Sequence, residues 1–226
     1  MTPGTVSIHF ISPEPLPTQA GWPLLSPAER VRAASFVFPK HASHWIACRA
    51  ALRRILGSII HVPPAEVPLV VSKLGKPELA DPFGYLHFSL SHCENLALLA
   101  LSVDGPVGVD VEASRRATDL PDCETAFCHP AEIDALPVDS SARGERLLDI
   151  WTAKEAVLKA LGTGFSHPPE TVCIHGTTAT SDEPLPGIED QVIHRLDHPA
   201  LSAHCAALSA SSSATRIEIH PFEAST

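Results

Sequence analysis

Two long stretches of helical periodicity, residues 41–60 and 142–162, are each accompanied by strand-like runs, and this repeated order constrains the fold most. In "HASHWIACRAALRRILGSII" the side chains of Trp45, Cys48, Leu52, Ile55 and Ile59 recur along one helical face. Arg49, Arg53 and Arg54 fall off that stripe, toward solvent or an anion. The second stretch, "ARGERLLDIWTAKEAVLKALG", stops at Gly162 and Gly164. Before the first helix come a strand, "VSIHFI" (6–11), a Pro-rich connection from Pro13 to Pro23, and a helix over 26–38 opened by Ser26 and Pro27. After it come a short strand at 67–73 and a hairpin of 85–92 and 96–103. The series then restarts. "GVDVE" (108–112) is a strand, 123–136 and 142–162 are helices, and 171–175, 191–196, 202–210 and 215–222 are strands. Residues 175–191 read as a long polar excursion. The expected fold is α+β, a pseudodimer of two similar α/β halves. Residues 1–105 and 106–226 form the halves, "DGPVG" (104–108) is the junction, and the active site lies at their interface.

Composition narrows the function classes. A net charge of −10 argues against general nucleic-acid binding. The charge is unevenly spread: residues 26–76 hold eight Lys and Arg against two acids, so that segment carries +6 and the remainder −16. Such a basic segment serves either a phosphate site or a solubilising helix face. No apolar run reaches the roughly 18 residues of a membrane span, so no membrane role is expected. The N-terminus lacks the pattern of a signal peptide. Six cysteines without a C-x-x-C pair fit reduced thiols in a cytoplasm, and scattered Cys and His do not suggest zinc.

"GVDVE" carries a chemical question. Alternation along a strand puts Val107, Val109 and Val111 on one face and Asp110 and Glu112 on the other. Two such carboxylates suit either a hard cation such as Mg²⁺ or a solvated edge-strand face, and the stretch alone favours the second. In the later helix Glu155 and Lys159 share a face at i, i+4, a spacing that also makes an ordinary surface ion pair. Lys154 lies about 100° around the helix from Glu155 and need not share its site. Trp151 shares Glu155's side and anchors the helix to the core.

Taken in order, "ERVRAASFVF", "CRAALRRIL", "GKP" (75–77), "SLSH" (89–92), "GVDVE" and "WTAKEAVLK" resemble the Sfp-type 4′-phosphopantetheinyl transferases, over about residues 26–165. The resemblance implies transfer of the phosphopantetheine arm of coenzyme A to a serine of an apo acyl or peptidyl carrier protein, with Mg²⁺, releasing 3′,5′-ADP. It implies Asp110, Glu112 and Glu155 as metal carboxylates, with Asp110, Glu155 and Lys159 as catalytic groups. Lys159 would also bind the pyrophosphate, while Arg32, Lys76, Ser91 and His92 would hold the coenzyme A nucleotide. The length matches the type with both halves in one chain, a monomer, rather than the shorter synthases that assemble as trimers. Glu29, beside Arg30, stands where some relatives have Lys, which leaves Arg32 as the basic contact there. His44 and Trp45 stand where relatives place small polar or basic side chains, and some relatives lack the second strand acid, here Glu112. Two rival readings are a Mg²⁺-dependent phosphatase or phosphodiesterase using water, and a coenzyme A or carrier-binding module without turnover.

Overall fold

The structure, a computed structural model, describes residues 1–12 and 18–220. Residues 13–17 of the Pro-rich connection therefore lie outside the described residues. The chain begins with β1 (Thr5–Ile11), a one-turn α1 (Thr18–Gly21), α2 (Pro27–Ala34) and α3 (Pro39–Ile60). Four strands follow: β2 (Leu69–Val71), β3 (Pro77–Leu79), β4 (His87–Cys93) and β5 (Leu96–Ser102). Then come β6 (Val107–Ala113), α4 (Pro130–Asp134) and α5 (Ser140–Leu161). The chain closes with β7 (Val172–His175), β8 (Thr178–Ser181), β9 (Gln191–Arg195), β10 (His204–Ser211) and β11 (Arg216–His220).

Two sheets and two helices of equal length make the frame. The first sheet has the order β11-β1-β5-β4 and the second β6-β10-β9. In β5 the strict alternation of "LALLALS" sends Leu96, Leu98 and Ala100 toward the second sheet. Ala97, Leu99 and Leu101 go the other way, against Cys48, Leu52 and Leu56 of α3. The β6 valines Val107, Val109 and Val111 join Val6, Ile8 and Phe10 of β1 in the core between the sheets. Gly108, on the opposite face, receives α5. A Cβ there would lie 2.0 Å from Ala156 O and 2.4 Å from Ala160 N, so only glycine lets the helix rest this close. Burial of these faces supplies the main driving force, at about 25 cal/mol per Å² of apolar surface.

The sheets meet along β4 and β6. Val109 N donates to Ser89 Oγ (3.1 Å), Ser91 Oγ donates to Asp110 Oδ1 (2.8 Å) and Ala113 N donates to Cys93 Sγ (3.1 Å). The partners advance together along both strands, so the seam is parallel and β4 side chains bond it. The last strand returns to the first half: β11 pairs in parallel with β1, from Thr5–Arg216 to His9–His220. β11 thus joins a sheet whose other strands lie within residues 5–102.

Several boundaries differ from the sequence reading. The helix expected over 26–38 stops at Ala34, and a second begins at Pro39. Phe38 precedes a proline and is extended (φ −103°, ψ 120°), which breaks the helical path. The same effect at His129 (φ −66°, ψ 146°) reduces the helix expected over 123–136 to a 3₁₀ turn at Glu124–Ala126 and the short α4. The expected excursion at 175–191 contains β8, which pairs with β7 and buries Ala179. Arg53 turns inward rather than to solvent, and the anion it meets is the Glu29 carboxylate. It is 2% exposed, and its Nε donates to Glu29 while its Nη1 donates to Pro64 O (2.8 Å) and Val67 O (3.2 Å).

Candidate active site

Three elements converge on Asp110. It projects from β6 on the face opposite the valines and is 3% exposed. Its Oδ1 accepts from Lys159 Nζ of α5 at 2.7 Å and from Ser91 Oγ of β4 at 2.8 Å. Lys159 Nζ also donates to Ser91 Oγ at 3.1 Å. The other carboxylate oxygen, Oδ2, is buried and has no hydrogen-bond partner. A buried carboxylate oxygen without a donor is costly and marks a place for a cation or a proton.

Glu155 lies one turn before Lys159 on α5 and is half-buried. Burial pushes its carboxyl up to about 7; the charges of Asp110 and Glu112 add to the rise, and Lys159 opposes it. The two strand acids and the helix acid therefore feel one another. Glu112 pairs with Arg116 on the turn that follows β6. A carboxyl whose pKa rises on folding favours the fold fully below its ordinary range and loses that contribution as pH climbs through the raised value. Glu155→Gln in the protein alone is expected to raise Tm by about 2–4 °C at pH 8, the response to roughly 1 kcal/mol in a chain of this size, after allowing for solvent screening. Near pH 4.5 the two proteins should melt together. Thermal melts at both pH values check this, and equal Tm at pH 8 contradicts it.

Two cavities open beside these groups, and His92 lines both. The first, about 320 Å³, has Arg49, Lys76, His92 and Lys159 in its wall with Leu74 and Phe88. The second, about 410 Å³, is lined by Lys40, His41, His44, Trp45 and His92. The Arg32 guanidinium lies 5.6 Å from the centre of the Trp45 ring, at cation–π distance. His44 meets His92 edge-on at 4.9 Å between ring centres. Burial lowers the His92 pKa, with the Lys159 charge adding to the effect. Lys76 Nζ donates to Ala160 O (2.9 Å) and Val107 O (3.3 Å), bridging the first half to the end of α5. Burial lowers its pKa to about 8, against the opposing charge of Glu78. A larger cavity, about 840 Å³, lies apart from these two, between the turn at 114–119, α5 and β10.

Residues 106–208 match the family model described as the 4′-phosphopantetheinyl transferase superfamily. This segment is similar to that superfamily. The chain is 38% identical over 145 residues to the 4′-phosphopantetheinyl transferase HetI of Nostoc sp., covering 63% of this chain and 61% of that relative. It is 31% identical over 149 residues to the putative 4′-phosphopantetheinyl transferase slr0495 of Synechocystis sp., covering 63% and 59%. It is also 27% identical over 145 residues to the 4′-phosphopantetheinyl transferase psf-1 of Bacillus pumilus, covering 64% and 61%. The chain thus matches about 60% of the length of these relatives.

The matched segment holds Asp110, Glu112, Glu155 and Lys159, whereas Arg32, Lys76, Ser91 and His92 come from outside it. The structure brings Ser91, Asp110 and Lys159 into direct contact and sets His92 and Lys76 around the adjoining cavity. Arg32 stands beside the second cavity through Trp45. Lys154 points away from the site, buried against Glu132 at 2.6 Å, as its position on the helix suggested. The donor set is all oxygen and includes the orphaned Asp110 Oδ2, which fits the chemistry of a hard divalent cation. Among the described residues, no three acidic, His or Cys side chains stand arranged as a metal-ligand group. Lys159 occupies the cationic position on Asp110 instead. Arg49 reads from sequence as an off-stripe cation directed toward solvent or an anion; its place in the cavity wall depends on how α3 crosses the sheet.

Proposed function

We propose that this protein transfers the 4′-phosphopantetheine arm of coenzyme A to a serine hydroxyl of an apo carrier protein and releases 3′,5′-ADP. The observation that carries the reading is the junction of Asp110, Ser91 and Lys159, with Lys159 also lining a cavity that Arg49 and Lys76 share. On this reading the chain acts as one pseudodimeric unit. The first half contributes the nucleotide contacts Arg32, Lys76, Ser91 and His92, and the second contributes the carboxylates. Asp110, Glu112 and Glu155 would hold Mg²⁺, which when bound neutralises charge on the diphosphate.

The remaining work falls to this chain's own side chains. The carrier serine Oγ bonds to the phosphorus nearest the pantetheine arm, and the bond from that phosphorus to the bridging oxygen breaks. The electron pair leaves on the phosphate of 3′,5′-ADP, where Lys159 offsets the new charge. Glu155 takes the serine proton as general base. Lys76, bonded to the α5 carbonyl of Ala160, ties the nucleotide half to the catalytic helix.

Incubation with coenzyme A, Mg²⁺ and a panel of apo carrier proteins tests the assignment by intact mass. A gain of one phosphopantetheine on a carrier is expected. Coenzyme A consumption without labelling marks a hydrolase, and binding without product marks a binding module; either overturns the proposal. The Lys159–Asp110 contact carries a further expectation. With its counter-ion removed, Asp110 attracts another cation more strongly, so Lys159→Met should tighten Mn²⁺ binding to the protein alone by about tenfold. The same variant should lower kcat more than it raises KM for coenzyme A. Paramagnetic titration of free Mn²⁺ and steady-state kinetics check the two effects, and unchanged Mn²⁺ affinity contradicts the first.

A further inference from the structure

Both strand acids of the proposed cation site already hold an internal cation. Asp110 accepts from the Lys159 ammonium, and Glu112 Oε1 accepts from Arg116 Nη1. The two cations are mounted differently. Lys159 rises from α5, whereas Arg116 stands on the turn Ser114–Asp119, four residues beyond its partner. The Arg116 side chain is 40% exposed and that of Glu112 is 17% exposed. The turn has other anchors. Ser114 N donates to Ala203 O at 2.9 Å. Ala117 O packs so closely on Gly144 of α5 that a Cβ there would lie 2.2 Å from it. Arg115 reaches Glu94, on the turn between β4 and β5, with Nε donating to Oε1 at 2.7 Å. Neighbouring arginines therefore face different acids: Arg115 one outside the cation site, Arg116 one within it. Arg116 can let go of Glu112 and turn to solvent while the backbone on both sides stays held. An exposed ion pair contributes little to stability, yet a cation seated on a carboxylate competes with any other cation for it.

We infer that Arg116 is a built-in counter-ion that a divalent cation must displace from Glu112, so that the empty site binds such a cation weakly. The cation itself rests on the transferase reading; the ion pair and the anchors of the turn do not. Paramagnetic titration of the full chain with Mn²⁺, without coenzyme A, tests the inference. Arg116→Met removes the competing charge and should tighten Mn²⁺ binding by about tenfold. Arg115→Met removes the same charge one residue earlier, where it faces Glu94, and should change the affinity less than threefold. The ligand-free Tm of Arg116→Met should stay within about 2 °C of the unaltered chain. If it falls further, Arg116→Gln supplies the comparison, with the same tightening expected. A gain below about threefold for Arg116→Met overturns the inference alone. So does a gain of threefold or more for Arg115→Met, which marks a general charge effect. Mn²⁺ binding by neither the unaltered chain nor Arg116→Met overturns the cation site of the transferase reading and this inference with it.

Discussion

Asp110→Ala is expected to lower carrier modification by about 10³-fold or more while leaving the chain folded. Three separate roles end with this one side chain. Its Oδ1 organises Lys159 and Ser91, drawn from α5 and β4. Its Oδ2 is the orphaned acceptor at the proposed cation site. Its charge also adds to the burial that raises the Glu155 carboxyl in the metal-free protein, so removal alters the acid pair on which the cation site is built. Loss of a single preorganised electrostatic group in other active sites costs roughly 10²–10³ in rate, and here the loss is compounded. The fold should tolerate the change because Val107, Val109 and Val111 make β6's core contacts on the opposite face. Lys159, 29% exposed at the side chain, can turn toward solvent. Rates from mass spectrometry, with far-UV circular dichroism as the fold control, check this. A variant within tenfold of the unaltered rate contradicts the assignment.

Lys154→Met is expected to destabilise the protein by about 3–5 kcal/mol, the cost of stranding a buried partner charge. Lys154 is 1% exposed and Glu132 is 5% exposed. Lys154 Nζ lies 2.6 Å from Glu132 Oε2 and donates to Phe127 O (2.8 Å) and Pro169 O (3.0 Å). Glu132 in turn accepts from Ile174 N and His129 N, both at 2.8 Å. One ammonium therefore joins α5 to the turn before α4 and to the segment entering β7. Methionine fills much of the volume but leaves one carboxylate and two carbonyls without their donor. A loss of this size is a large part of the roughly 5–15 kcal/mol that holds a domain together. Lys154→Met with Glu132→Gln should recover part of it, since the amide removes the stranded charge and its oxygen still accepts from one backbone N–H. Denaturant titration of the single and double variants measures both terms. A single variant within 1 kcal/mol of the unaltered chain, or a double variant less stable than the single, contradicts the account.

The two stabilities are linked through α5. Lys154 and Glu155 are neighbours on opposite concerns: one buries the helix, the other faces the site. The sequence made this division legible, because about 100° of helical rotation separates them. Local signals in general were readable. Ser26 and Pro27 open α2 with a capping box, and Gly162 closes α5 in the left-handed region at φ 74°. The face of β6 that carries Asp110 followed from strand alternation alone. What escaped was non-local. The Glu29–Arg53 pair joins residues 24 apart, and its burial depends on how α2 crosses α3. Arg49 looked like another off-stripe cation until that crossing placed it in a cavity. The β4–β6 seam depends on three β4 side chains meeting a strand about 20 residues away. The small polar residues of β8 carried too little apolar pattern to announce a strand. Ser91 and Lys76 were assigned to the nucleotide by resemblance. Their bonds here, to Asp110 and to the α5 carbonyl, show that each also assembles the site.

The central claim is that Asp110 gives up the Lys159 ammonium when the nucleotide enters and, with Glu112 and Glu155, would hold a divalent cation. A crystal structure with coenzyme A and Mg²⁺ tests it directly. The account predicts the cation between these carboxylates and the diphosphate, with Lys159 Nζ moved from Asp110 to a phosphate oxygen. A cation bound elsewhere, with Lys159 still on Asp110, would contradict it.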